Sequence, residues 1–204
     1  ATQNKAYPTV IGVSEIENRN VLEDVVSLDK LQNANYQICH YDGPDARGVD
    51  CAFLYRPDQF KIEGSEPIKA KIPGAREGFR TRDILTMWGT IEGEPFFFVV
   101  SHWPSRRGGQ SSSAFLREGV AAQIRGIIDS VRTANPLVKA VVMGDFNDDP
   151  QDKSVSEYLG GKLNKSKLDP NDMYNPFWQL HKDGYGSLAY NDAWNLFDNI
   201  VVSA

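Results

Sequence analysis

The chain has 204 residues, 41% of them hydrophobic and 24% charged, with a formal net charge of −5 at pH 7. This is enough apolar material for one sizeable core, and with no composition shift or long linker we expect a single domain over residues 1–204. No apolar run approaches the roughly 18–20 residues of a membrane span. No basic-then-apolar leader is visible, which leaves the compartment open, secretion and periplasm included; the net negative charge excludes gripping a polyanion by overall electrostatics alone.

In chain order, residues 9–14 read as a strand and about 22–33 as a helix, with Val21, Leu22, Val25, Val26 and Leu28 favouring one face and Asn18 or Asn20 as its cap. Residues 35–41 and 49–55 read as a hairpin around the turn-rich Asp42–Gly48. Cys39 and Cys51 are symmetric about Asp45, so a simple hairpin would place them face to face. A bridge would then depend on pair geometry; more commonly such cysteines stay reduced and buried, and their spacing is not that of a metal site. Further strands are expected near 60–63, 67–71, 82–91 and 95–102. A helix over about 113–133 carries Phe115, Leu116, Val120, Ile124, Ile127, Ile128 and Val131 at helical spacing. Strand 139–145, a helix near 153–159, irregular chain and strand 197–203 complete an α/β sandwich.

Three apolar strands end by presenting polar groups. Pro8–Ser14 delivers Glu15, Phe96–Ser101 delivers His102, and Ala140–Gly144 delivers Asp145 and, two positions on, Asn147. A buried strand does not carry a lone charge cheaply, so such endings mark a sheet rim. Asp198 opens a fourth apolar strand, and if that strand runs antiparallel to the others its start lies at their finishing edge. Singly, each residue has a structural use: Glu15 as a cap, His102 as a core histidine beside Trp103, Asp145 and Asn147 in an Asx turn, and Asp198 on backbone groups. Together, three carboxylates, a carboxamide and an imidazole at one rim suit a hard divalent cation such as Mg²⁺. Arg76, Arg80, Arg82, Arg106 and Arg107 could meet a phosphate, and Asp145, Asp148, Asp149 and Asp152 crowd a later segment.

With these residues in view, the chain resembles the endonuclease/exonuclease/phosphatase superfamily. Gly144-Asp-Phe-Asn147, Ser101-His-Trp103 and Val13-Ser-Glu15 are similar to its strand-end motifs, and Phe53–Pro57 and Phe197–Val202 look like segments of secreted deoxyribonucleases. Ile16–Arg19, Val21–Asp24 and Asp45–Gly48 look closest to bacterial nuclease-like members. The resemblance implies a DNase-like four-layer α/β sandwich of two packed mixed sheets flanked by helices. It implies that Glu15, with Asp145 and Asn147, binds Mg²⁺ or Mn²⁺, that Asp145 orients or deprotonates water, and that Asn147 fixes the phosphate. His102 would hydrogen-bond a phosphate oxygen, Asp198 would orient a second histidine, and Arg82, with Arg47 and Asp50 as weaker candidates, would contact phosphate.

The pattern departs from the family at both ends. An opening strand with a metal-side asparagine and a closing Ser-Asp-His segment holding the general base are both expected and both missing from residues 1–204, and neither His40 nor His181 sits in that motif. The expectation is therefore a partial domain lacking its N- and C-terminal strands. The functional expectation is a metal-dependent phosphodiester hydrolase, with nucleic acid as substrate. The alternatives are a phosphomonoesterase or lipid-headgroup phosphodiesterase on the same scaffold, or a non-catalytic phosphate-binding scaffold. No protein partner can be inferred.

Overall fold

The computed structural model describes residues 6–190 and 192–204. Two sheets form its centre. The smaller has the order β1-β3-β2, built from β1 (Val10–Ile16), β2 (Gln37–His40) and β3 (Asp50–Tyr55). The larger has seven strands. Its order begins β4 (Phe60–Ile68), β5 (Ile84–Ile91), β6 (Glu94–Val100) and β7 (Lys139–Asp145). It continues out of sequence with β12 (Asp198–Ser203), β9 (Met173–Tyr174) and β8 (Gly161–Lys162). A separate hairpin pairs β10 (Leu188–Tyr190) with β11 (Ala193–Asn195).

The layers follow from which faces are apolar. Helix α1 (Arg19–Ser27) covers the smaller sheet through Leu22, which packs with Ala34, Tyr36, Ala52 and Leu54. The two sheets meet face to face through Cys39, Phe53, Phe60, Met87, Phe98 and Val100. Gly12 permits the approach, since a Cβ there would lie 2.6 Å from Met143 Sδ. Helix α2 (Gln110–Ala134) packs Val120, Ala121, Ile124 and Ile128 on the other face of the larger sheet, against Val99, Ala140 and Val142. Helix, sheet, sheet, helix is the four-layer sandwich expected. α2 is also the crossover that makes β6 and β7 parallel.

Several boundaries differ from the sequence reading. Helix α1 starts three residues early, at the cap Asn18, whose side chain accepts from Val21 N at 3.1 Å. It stops at Ser27, whose hydroxyl turns back on Asp24 O at 2.8 Å, and residues 32–34 form a separate 3₁₀ turn. The expected strands 60–63 and 67–71 are one strand, bulged between Ile62 and Gly64. Residues 154–158 wind as a π-type turn, closed by Leu159 N on Ser154 O at 2.9 Å. The cysteines do not face each other: the register pairs Cys39 with Phe53, two residues out of step with symmetry about Asp45. Both thiols are free and buried, and burial pushes Cys51 up to about 12. No helix among the described residues is long and apolar enough to cross a membrane.

Candidate active site

Four chain segments bring the site together at one rim. The last residue but one of β7 is Gly144, whose φ of +136° no other residue adopts comfortably and where a Cβ would lie 2.2 Å from Ser101 O. That close approach seats the continuation of β6 beside β7: Ser101 N donates to Met143 O at 3.1 Å and Trp103 N to Asp145 O at 2.9 Å. Trp103 and Phe146 are fully buried and stack at 4.2 Å between centroids, so His102 and Asp145 sit on a rigid floor. β12 runs antiparallel to β7 and places Asp198 directly opposite Asp145. β1 reaches the rim through an irregularity between Val13 and Ile16 that holds Glu15 at φ +60°. Asn147 lies at φ +50°. Two non-glycine residues in left-handed conformations at one rim is strain of the kind that clusters at functional sites.

The polar contacts at the rim centre on Asp145. His102 Nε2 lies 3.4 Å from Asp145 Oδ2. Asn147 N donates to Asp145 Oδ1 at 2.8 Å, and Asn147 Nδ2 donates to Trp103 O at 2.9 Å. Arg47 Nη1 stands 3.7 Å from Glu15 Oε1. Burial pushes Asp145 up to about 6, and repulsion from Asp198 and Glu15 adds to it against the Asn147 N–H and Arg82. Burial holds His102 down to about 3, helped by the positive charges of Arg82 and Arg47, so the imidazole is neutral at ordinary pH. Its Nδ1 is buried without a partner.

The match to known proteins covers the whole of this arrangement. The model of the endonuclease/exonuclease/phosphatase family matches residues 2–204. The chain belongs to this family. Among solved structures, the catalytic domain of human Nocturnin superposes with a TM-score of 0.69 at 16% identity, over 96% of this chain and 69% of that one. Truncated TDP2 of Caenorhabditis elegans gives 0.64 at 18%, over 97% and 71%. ANGEL2, described as a 2',3'-cyclic phosphatase, gives 0.66 at 14%, over 96% and 69%. At these identities the likeness is one of fold. No curated protein matches in sequence.

Within the family fold, the remaining charged residues sort by their partners. Arg82 reaches the site, but with its side chain only 7% exposed it spends its donors on His102 O at 3.1 Å, Trp103 O at 2.6 Å and Asp45 Oδ2 at 3.2 Å. Arg47 stays more than half exposed, with Asp45 Oδ1 accepting from its backbone N at 2.9 Å. Asp45, absent from the sequence candidates, therefore pins both arginines. Burial raises its carboxyl, but the Arg47 N–H and the two guanidinium groups outweigh that and lower it. Its signal lay in Asp45-Ala-Arg47, where an aspartate two residues before an arginine can close an Asx turn.

The acidic segment divides. Asp148 is buried against Arg117 at 2.7 Å, and Asp148, Asp149 and Asp152 all lie within 3.3 Å of Arg106. These three carboxylates are neutralised by arginines, and the carboxylates that act on Asp145 are those of Asp198 and Glu15. Among the described residues no histidine pairs with Asp198; His181 instead lies 3.4 Å from Asp149 and His40 lies 3.3 Å from Asp50. His40, Asp42 and Asp50 also bring one ligand atom each within 4.8 Å of one another at the base of loop 41–49.

Proposed function

We propose that this protein is a metal-dependent phosphodiester hydrolase acting on nucleic acid, and that residues 1–204 belong to a single domain of that type. The observation that carries this reading is Asp145, a strand-end carboxyl held against His102 and crowded by Asp198 and Glu15, with its pKa raised to about 6. Three carboxyl groups at one rim with no cation among them but the partly exposed Arg47 and the committed Arg82 fit a hard divalent ion. Glu15, Asp145 and Asn147 would hold Mg²⁺ or Mn²⁺; Asn147 Nδ2 is committed to Trp103 O, which leaves its carbonyl oxygen for that use. When bound, such an ion neutralises phosphate charge and lowers the pKa of water.

The chain's own residues supply the rest. The Asn147 N–H occupies Asp145 Oδ1, which leaves Oδ2 to take a proton from attacking water. His102 is neutral and has a single N–H. With Nδ1 buried and unpartnered, the proton is assigned to Nε2, at the site face, where it can donate to a phosphate oxygen as charge builds. Arg47 is the exposed phosphate contact, while Arg82 positions the His102–Trp103 backbone.

Hydrolysis of plasmid DNA, RNA, a 2',3'-cyclic nucleotide and a chromogenic phosphodiester, each with Mg²⁺, Mn²⁺ or a chelator, tests the reading. We expect metal-dependent cleavage of nucleic acid, and a loss on the order of 10²-fold or more in Asp145→Asn and His102→Ala. Cleavage of monoesters or cyclic nucleotides alone would move the protein to the phosphatase branch of its fold. Chelator-resistant activity, or no hydrolysis of any substrate, would sink the proposal.

A further inference from the structure

Once Arg82, Arg106 and Arg117 are assigned to buried or acidic partners, the arginines of the middle of the chain leave a remainder. Arg76, Arg80 and Arg107 are exposed, and among the described residues none of them forms an ion pair. They line one groove of about 490 Å³ that contains no acidic side chain. Phe79 and Phe115 provide aromatic surface in it, Phe115 being 43% exposed on the first turns of α2. The groove neighbours the segment that carries His102: Arg82 and Pro104 line it, and Arg82 donates to His102 O and Trp103 O.

In a chain of net charge −5, three unpaired guanidinium groups around one aromatic-lined groove are a local reversal of sign. An anion carrying several negative charges is what such a groove attracts. Aromatic faces beside cations add the second half of single-strand recognition, in which bases stack while the backbone is tracked electrostatically. None of Glu15, His102, Asp145, Asn147 and Asp198 lines the groove, so a small phosphoester at Asp145 tests the site apart from it.

We propose that the Arg76–Arg80–Arg107 groove is a binding subsite for single-stranded nucleic acid, holding the backbone that flanks the phosphate under attack while Phe79 and Phe115 take its bases. This deepens the hydrolase reading and rests on it for the position of the cleaved phosphate. It concerns binding, so it can be tested separately.

The experiment compares the full chain with Arg76→Gln/Arg80→Gln/Arg107→Gln, with the same three positions as Lys, and with Phe115→Ala. Fluorescence anisotropy of labelled oligonucleotides of increasing length, single-stranded and duplex, is read in chelator across a salt series. Turnover of the chromogenic diester is read with metal. The triple Gln variant should bind a long single strand on the order of tenfold or more weakly and lower the salt slope by about 2, at about 0.7 per phosphate contact. It should leave turnover of the small diester unchanged, and the Lys variant should restore most of the binding. Phe115→Ala should weaken single-strand binding with the salt slope unchanged. Unaltered oligonucleotide binding in the Gln variant, an equal loss on the small diester, or a preference for duplex that Phe115→Ala does not touch would each overturn the subsite. If no substrate is hydrolysed yet single strands bind through these arginines, the hydrolase reading fails and the subsite stands.

Discussion

Asp145 shows how one residue can be costly to the fold and central to the proposed chemistry. Its carboxyl is raised from the ordinary 3.8 to about 6 by burial and by two neighbouring carboxylates, so above that pH the metal-free protein holds a charge it would rather not have. A folded-state pKa above the unfolded one means stability is lost as pH rises through the window from about 4 to 6. Asp145→Asn removes that penalty and keeps an oxygen for the Asn147 N–H. We therefore expect the metal-free variant to be more stable than the wild type at pH 7 by about 1–2 kcal/mol while hydrolysis is lost. Denaturant unfolding in chelator reads this; a destabilised Asp145→Asn would mean that the carboxylate is held by the fold and not strained by it.

At the scale of elements, the site depends on two strand ends passing closer than side chains allow. Gly144 makes this possible, and Gly144→Ala combines an unfavourable φ with a Cβ 2.2 Å from a backbone oxygen. A cost of about 2–4 kcal/mol follows, enough to lower the melting temperature of a chain this size by roughly 5–15 °C. Gly126→Ala, in α2 with nothing within 4 Å, should instead raise it slightly. Thermal unfolding of the pair distinguishes a backbone constraint from a general intolerance of alanine. The strand ends were legible in the sequence because an apolar run halted by Gly144-Asp145, or by Ser101-His102, has one physical reading. The Asn18 cap was legible for the same local reason. The cysteine register was not, since it depends on how loop 41–49 turns. Nor was the pairing of Asp148, Asp149 and Asp152, which is decided by Arg106 and Arg117, 31 to 46 residues away in the chain. The short strands and hairpin between residues 161 and 195 carry no periodicity to read.

For the molecule as a whole, two titrations at the rim oppose each other. His102 has a folded-state pKa of about 3 against an ordinary 6.5, so its contribution to stability is present above 6.5 and is lost as pH falls toward 3, when the unfolded chain takes a proton the folded site refuses. Asp145 works in the other direction between about 4 and 6. In the metal-free protein these terms nearly cancel between pH 4 and 6. Removing His102 should expose the Asp145 term: relative to the wild type, His102→Gln should gain stability on acidification from pH 6 to 4, by about 1 kcal/mol per pH unit. A divalent ion acts on the same carboxyl, since it binds the ionised form. At a hundredfold excess over its Kd it adds about 2.7 kcal/mol, or roughly 5–10 °C in melting temperature. That increment should be full at pH 8, shrink below about pH 6 as protons compete, and be absent from Asp145→Asn at every pH. Melting curves with and without Mg²⁺ at pH 8 and pH 5 check both halves. An Mg²⁺ shift that survives at pH 5, or persists in Asp145→Asn, would place the ion elsewhere, and the group at His40, Asp42 and Asp50 would be the first place to look.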